Sequence, residues 1–156
     1  MADIVSERYA QSLYEVAKDE KQEKEYLEEL TAVCGAFREN PDFLKLLTTP
    51  SIAFEDKQNV LKTVFEGKIR PFVLNFLMLT TEKGRIGLIH EMREAYKEQY
   101  YFENNIAEVC AVTAVPMSDA LRDRLKNKMQ AVTGRQVVLE TSVDPEIIGG
   151  IVVKVN

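Results

Sequence analysis

The spacing of apolar residues changes once along this chain, near Asn104 and Asn105. Before that point apolar side chains recur at the spacing of one face of an amphipathic helix, as along Leu27, Leu30, Cys34 and Phe37. After it they fill short runs, such as Ile151 to Val155, which are typical of buried strands. We therefore predict a mainly α fold, with a six-helix bundle over residues 1–104 followed by a small α/β domain over residues 105–156 in the order β-α-β-β.

Prolines, glycines and capping residues predict where the helices of the first domain begin and end. Asp3 is placed to cap the first helix, Pro71 to open the fifth, and Gly84 to separate the fifth from the sixth. The predicted helices run from Asp3 to about Lys18, from about Gln22 to Arg38, from Asp42 to Leu47, through Val60 to Phe65 with a stop at Gly67, from Pro71 onward, and from Arg85 to about Phe102.

The second domain is punctuated in the same way. We predict a strand over Ile106 to Val115, then a helix capped by Ser118 or Asp119 and ended by Gly134. Strands over Arg135 to Val143 and Ile151 to Val155 follow, and Gly149 and Gly150 form a turn that leads into the last strand.

The first and fifth predicted helices carry more apolar surface than a surface helix needs. The apolar arc of the first, from Val5 through Tyr9 and Leu13, covers roughly half of the helix circumference, against a stripe of about 100° in an ordinary surface helix. In the fifth, only the edge containing Asn75 and Glu82 is polar. Two interpretations remain open: one central helix is buried on all sides, or the two helices form a groove that binds an amphipathic partner helix.

The sequence contains no recognisable catalytic, cofactor or metal motif. His90 is the only histidine, which leaves little for a catalytic triad or a zinc site, and it is expected to be half-buried on a helix. Cys34 and Cys110 lie far apart and are expected to be buried free thiols. We therefore predict a protein that is not an enzyme, without cofactor or metal.

The charge balance argues against nucleic acid as a partner. The formal net charge is −5, and residues 105–156 carry six basic against six acidic side chains. A predicted helix over residues 121–129 is locally basic, with Arg122, Arg124, Lys126 and Lys128. This helix leaves an RNA-associated assembly factor as the alternative function, although no aromatic platform for stacking bases accompanies it.

No apolar run approaches the ~20 residues that a membrane span requires. The first residues, from Met1 to Ile4, have neither a basic segment nor an apolar one, so we expect no secretory signal and a bacterial cytoplasmic setting.

Seven short segments, in order and across nearly the whole chain, together resemble one protein family. They are Arg8-Tyr9-Ala10 with Leu13-Tyr14, Asn40-Pro41-Asp42-Phe43-Leu44-Lys45-Leu46-Leu47 with Pro50, Asn75-Phe76-Leu77, Gly84-Arg85-Ile86, Val115-Pro116-Met117-Ser118, Thr133-Gly134-Arg135, and Val143-Asp144-Pro145 with Ile147 to Val153. The sequence resembles the δ subunit of F-type ATP synthases, the bacterial counterpart of the mitochondrial oligomycin sensitivity-conferring protein.

The resemblance implies a non-catalytic stator subunit of a proton-translocating synthase. In this family the helical domain binds the N-terminal helix of an α subunit between its first and fifth helices, and the C-terminal domain joins the b-subunit peripheral stalk. It would lie at the cytoplasmic face of the bacterial cell membrane, associated with the membrane only through the complex. Carried over by position, the α-subunit contacts fall at Tyr9, Ser12, Leu13, Phe76 and Leu79. Gly149 and Gly150 belong to the family's C-terminal signature and are expected to set the shape of a turn.

Two departures from the family pattern carry expectations of their own. The family normally continues past the last strand with a further strand and helix, whereas this sequence ends at Asn156, so we expect the C-terminal domain to be incomplete and its binding to the stalk weakened. Thr80 and Thr81 replace more apolar residues at the end of the fifth helix, and we expect them to narrow the groove there.

Overall fold

The computed structural model describes residues 3–155, so the ends of the predicted domains at Met1, Ala2 and Asn156 lie outside the described residues. The prediction of a mainly helical protein with a small sheet is confirmed: the described residues form seven α-helices and one three-stranded sheet. The chain divides into two compact units between Tyr100 and Tyr101, inside the last turns of the sixth helix, and each unit is described by itself below.

Six α-helices make up most of the first unit. They are α1 (Ile4–Asp19), α2 (Glu23–Glu39), α3 (Pro41–Thr48), α4 (Phe54–Phe65), α5 (Pro71–Glu82) and α6 (Ile89–Glu103). Most limits lie within two residues of those predicted, because the punctuating residues act locally. The Asp3 carboxylate accepts a hydrogen bond of 2.7 Å from the backbone N–H of Ser6, which satisfies a free donor of the first turn. Prolines stand at the first positions of α3 and α5.

The predicted start of the sixth helix at Arg85 is wrong. Residues Ile86–Leu88 form a 3₁₀ turn, and the α-helix begins at Ile89. The N–H of Leu88 bonds to the carbonyl of Arg85 at 3.0 Å, three residues back instead of four. Gly87 lies inside this turn, and glycine is a poor α-helix former, so the tighter local turn competes well here.

The core of the first unit combines aliphatic side chains with three fully buried tyrosines, Tyr14, Tyr26 and Tyr96. The Tyr26 hydroxyl donates to the Glu20 carboxylate at 2.6 Å, and the Tyr96 hydroxyl donates to the Glu23 carbonyl at 2.7 Å. Burial raises the pKa of Tyr96 above its usual value, so its hydroxyl stays protonated. Both hydroxyls are thus satisfied donors, as buried polar groups must be.

A charged clamp attaches the start of α5 to α2. The guanidinium of Arg70 contacts the carboxylate of Glu29 at 2.6 Å and donates to the side-chain carbonyl of Gln22 at 2.7 Å. The backbone N–H of Arg70 donates to the other oxygen of Glu29 at 2.5 Å. These bonds tie the residue before α5 to α2 and to Gln22, the residue before α2.

The second unit is a βαβ arrangement with an added strand. It consists of β1 (Ile106–Thr113), α7 (Asp119–Thr133), β2 (Gln136–Val143) and β3 (Ile151–Val155). The sheet order is β2-β1-β3, with β2 parallel and β3 antiparallel to β1. The first strand ends two residues before the predicted Val115, where the Thr113 hydroxyl turns to donate to the Val115 carbonyl at 2.6 Å. Ser118 caps α7 by accepting from the N–H of Leu121 at 3.2 Å.

The core of the second unit is small. Its central cluster consists of the buried Ala107, Val109 and Val137, with Met129 of α7 and Leu139 packed against them. Ala111 and Thr113 of β1 are buried as well. All five residues of β3 are exposed. Gly149 and Gly150, just before β3, have φ values of 70° and 76°, a left-handed conformation that favours glycine and fits the predicted turn.

The two cysteines differ enough in burial to predict different reactivity. The Cys34 thiol is buried at the α2–α6 contact, 3.8 Å from the Ile89 carbonyl, and burial raises its pKa to about 11. Because the thiolate is the nucleophile, we expect Cys34 to resist alkylation at pH 8 in the native protein, while the partly exposed Cys110 of β1 reacts. Timed labelling with a maleimide, read by mass spectrometry, measures this. In the control Cys110→Ser the native protein should stay unlabelled until denaturant is added; labelling of both thiols at one rate would contradict the burial of Cys34.

Candidate partner-binding site

Helix α5 leaves part of its apolar surface uncovered. Phe72 and Leu79 are 50% and 45% exposed, although they lie among the most apolar residues of the chain. They are seven positions apart and thus lie on one face, while Val73 and Leu77 on other faces are fully buried. Of the two interpretations left open by the sequence, burial of α5 on all sides does not describe this structure.

Helix α1 meets this face of α5 through an aromatic contact. The ring of Tyr9 lies edge-on to the ring of Phe76, with centroids 6.3 Å apart and planes at 73°. Tyr9 and Val5, one turn earlier, are half-buried, and Ser12 is exposed. The half-buried side of α1 and the exposed side of α5 therefore join at Tyr9 and Phe76. We call the surface formed by Val5, Tyr9, Phe72, Phe76 and Leu79 the α1–α5 apolar surface.

A pocket of about 290 Å³ lies on the α1 side of this surface, lined by Val5, Arg8, Tyr9, Ser12 and Arg85. The guanidinium carbon of Arg85 lies 5.6 Å from the centroid of the Tyr9 ring. An N–H group of the same guanidinium donates to the Tyr9 hydroxyl at 3.3 Å. The pocket thus combines an aromatic wall with two guanidinium groups.

The five residues predicted to contact a partner helix fall into two groups. Tyr9, Ser12 and Leu79 are accessible. Leu13 and Phe76 are only 4% and 7% exposed and belong to the core, so a partner could reach at most a small part of either side chain. Phe72, Arg8 and Arg85 were not among the predicted site residues. Phe72 had a usable signal, since it precedes Leu79 by two helical turns.

Thr80 and Thr81 do not narrow the surface as expected. Both are buried, and their hydroxyls donate to the carbonyl of Leu77 at 3.0 and 2.7 Å. Their polar atoms are satisfied within α5 itself, and neither side chain stands at the surface.

His90 lies on α6 and is not among the residues that line the pocket beside Tyr9. It is half-buried, and its pKa is lowered by burial and by the nearby Arg38 and Arg93. The imidazole therefore favours the neutral form. Within residues 3–155 its buried Nδ1 has no hydrogen-bond partner.

One cluster of side chains in the second unit could in principle hold a metal ion. Glu108, Cys110 and Glu140 bring their ligand atoms within 4.8 Å of one another, the one such group in the described part of the chain, but Lys154 pairs directly opposite Cys110 on β3. A cation there would meet an ammonium group on the same face, so this is a poor metal site.

The basic helix α7 carries acidic residues among its basic ones. Its pocket of about 410 Å³ is lined by Asp119, Arg122, Asp123 and Lys126 together with Leu139. Neighbouring carboxylates weaken attraction to phosphates, so nothing in this geometry favours the RNA alternative.

Among residues 3–155, no helix is both long enough and apolar enough to cross a membrane.

Comparison with known proteins shows which family the chain resembles. The family model "ATP synthase delta (OSCP) subunit" matches residues 5–156. The ATP synthase subunit delta of Clostridium kluyveri is 32% identical over all of this chain and 86% of its own length, and that of Alkaliphilus metalliredigens is 34% identical over all of this chain and 87% of its own.

Among solved structures, a chain of the Toxoplasma gondii mitochondrial ATP synthase hexamer shares the fold. The TM-score is 0.74 at 22% identity, and the match covers 96% of this chain and 85% of the other. The sequence matches and the shared fold agree. The chain belongs to the ATP synthase delta (OSCP) subunit family, whose members are non-catalytic components of the peripheral stalk of the ATP synthase.

Proposed function

We propose that this chain links the catalytic head of an F-type ATP synthase to its peripheral stalk, by binding the N-terminal helix of an α subunit on the α1–α5 apolar surface. The observation that carries the proposal is the exposure of Phe72 and Leu79 on an otherwise buried helix. Exposed apolar side chains clustered on one face mark sites where another apolar surface docks.

The shape of the surface suits a helix as the partner. Phe72 and Leu79 lie two turns apart along α5, and Val5 and Tyr9 lie one turn apart along α1, so both rows follow helix axes. An amphipathic helix presents apolar side chains at matching intervals of one and two turns. Such a helix can place its apolar stripe over the Tyr9–Phe76 contact, which is the helix-in-groove mode of recognition.

The second unit is proposed to hold the b-subunit stalk. On β3, Ile151, Val153 and Val155 are exposed, and the strand register aligns them with Thr113, Ala111 and Val109 of β1, whose side chains are buried. The core face of the sheet therefore continues into an uncovered apolar strip on β3. The strip supports the proposal because a partner helix packed on it would extend the small core.

The proposed role requires the chain to act within the complex. As a stator it resists the torque of the rotor, so that the flow of protons drives ATP synthesis instead of turning the head. It needs no cofactor for this role, and it meets the membrane only through the other subunits, at the cytoplasmic face of a bacterial membrane.

Reconstitution tests the proposed role. Membranes carrying the synthase are stripped of the catalytic head and of this subunit, and the head is then added back with or without the full chain. We expect proton pumping driven by ATP hydrolysis to recover only when the chain is present, while ATP hydrolysis by the free head is unchanged. Equal recovery of pumping without the chain would contradict a stator role.

A further inference from the structure

We propose that Arg85, together with Arg8, binds a carboxylate side chain of the incoming helix, so that these two arginines select a partner that carries Asp or Glu beside its apolar stripe. This inference rests on the proposed function, since it specifies the chemistry of the partner at the same surface. It assigns roles to two residues that line the pocket beside Tyr9.

The end of α5 holds Arg85 in place. Gly84 has a φ of 72°, its N–H donates to the Thr81 carbonyl at 3.1 Å, and the N–H of Arg85 donates to the Thr80 carbonyl at 2.7 Å. This pair of bonds is a Schellman cap, which a glycine in the left-handed conformation makes possible. The backbone of Arg85 is therefore held two residues beyond the C-cap residue Lys83, and its guanidinium lies over the Tyr9 ring.

In the described part of the chain, neither arginine of the pocket is paired with a carboxylate. The Arg85 guanidinium interacts with the Tyr9 ring and hydroxyl. Within residues 3–155 it has no ion pair, and the Arg8 side chain has neither a hydrogen bond nor an ion pair. Two other arginines of the same unit are ion-paired: Arg70 with Glu29, and Arg93 with Glu94. Two unpaired guanidiniums in one pocket leave a carboxylate site open.

The two pocket arginines, Arg8 and Arg85, lie in a part of the chain that is acidic overall. Residues 1–104 carry 14 basic against 19 acidic side chains, yet the described pocket beside the α1–α5 apolar surface is lined by two arginines and no acidic residue. Guanidinium groups are weakly hydrated, stay charged at all relevant pH values and bind carboxylates through paired hydrogen bonds. The Tyr9 hydroxyl, already within reach of Arg85, supplies one further polar group at the same place.

The consequence for the partner is a specific arrangement of its side chains. Apolar residues cover Phe72, Phe76 and Leu79, and one acidic residue at the edge of that stripe enters the pocket of about 290 Å³. The apolar contacts then supply affinity, and the carboxylate fixes the position of the helix along the groove.

Calorimetry with a double-mutant cycle tests the inference. The full chain is titrated with a peptide of the N-terminal ~20 residues of the same organism's α subunit, and with the same peptide in which every Asp and Glu is replaced by Asn and Gln. We expect Arg85→Gln to weaken binding of the acidic peptide about tenfold, as the loss of one charge-assisted pair should. The amide peptide should bind the wild-type chain about as weakly, and the variant should not weaken it further.

A matched control and a second variant sharpen the result. Lys83→Gln removes an exposed positive charge two residues before Arg85 but outside the pocket, and it should leave affinity nearly unchanged. Arg8→Gln should show the same coupling to the peptide carboxylates as Arg85→Gln. Strong peptide binding that is indifferent to both arginine variants would overturn this inference and leave the proposed function standing. No binding by folded wild-type chain would overturn both.

Discussion

Leu79→Asp is expected to weaken binding of the α-subunit N-terminal helix by at least about 30-fold, equivalent to about 2 kcal/mol. Leu79 is 45% exposed and lies two turns from Phe72 on the α1–α5 apolar surface, so a partner helix would bury it. An aspartate there would have to lose much of its hydration against the apolar side chains of the partner helix. Because nearly half of the side chain is exposed in the free chain, the free energy of unfolding should fall by only about 1 kcal/mol, from the lower helix propensity of aspartate and its charge near the end of α5.

Calorimetry of the full chain with the α-subunit peptide measures the effect of Leu79→Asp on binding, and urea titration measures its effect on stability. Val132→Asp is the matched control, since Val132 is an apolar helix residue 71% exposed on α7, outside the proposed surface. A Leu79→Asp variant that folds normally and binds the peptide with wild-type affinity would contradict the proposal that the α1–α5 apolar surface binds the α-subunit helix.

Leu13→Ala is expected to lower the free energy of unfolding by about 3 kcal/mol. Although the family resemblance assigns Leu13 to partner contact, it is only 4% exposed and packs in the core of the first unit. Removing its methyl groups leaves a cavity that neighbouring helices can fill only in part. Phe76→Ala, at a position 7% exposed, should cost a similar amount because it also removes the ring that contacts Tyr9.

Chemical denaturation followed by circular dichroism measures these losses. Ser12→Ala serves as the control for Leu13→Ala: Ser12 is the next residue along α1 and is exposed, so its replacement should change stability little. If Leu13→Ala were as stable as wild type, the placement of Leu13 in the core would be contradicted. If the loss is seen, weak peptide binding by a Leu13 variant cannot be taken as evidence for a direct contact.

The limits of most helices could be predicted because they depend on residues that act within one turn. Asp3 and Pro71 stand at helix starts and Gly134 caps the end of α7, as the sequence indicated, and α3 begins at Pro41, one residue before its predicted start at Asp42. The start of α6 could not be predicted in this way, because the 3₁₀ turn around Gly87 depends on how the segment between α5 and α6 packs. Thr48 contacts the position where a Gly87 side chain would stand, at 3.6 Å.

The candidate site could be predicted only in outline. Excess apolar arc singled out α1 and α5, but a helical wheel does not say which apolar positions the neighbouring helices cover. Leu13 lies in the core and Phe72 is exposed because of where the rest of the unit packs, with the Arg70–Glu29 clamp tying the residue before α5 to α2. Arg85 could not be placed from the sequence, since its position over Tyr9 follows from the cap at Gly84 and the packing of α1 beside α5.

Hydrogen–deuterium exchange of the full chain, with and without the α-subunit peptide, tests the central claim most directly. Peptide binding should slow exchange of backbone amides in α1 and α5, above all around residues 5–13 and 72–79, because a docked helix suppresses their local opening. Residues 106–155 should exchange at unchanged rates. Protection confined to the second unit, or absent while the peptide is bound, would contradict the assignment of the α1–α5 apolar surface as the site that holds the catalytic head.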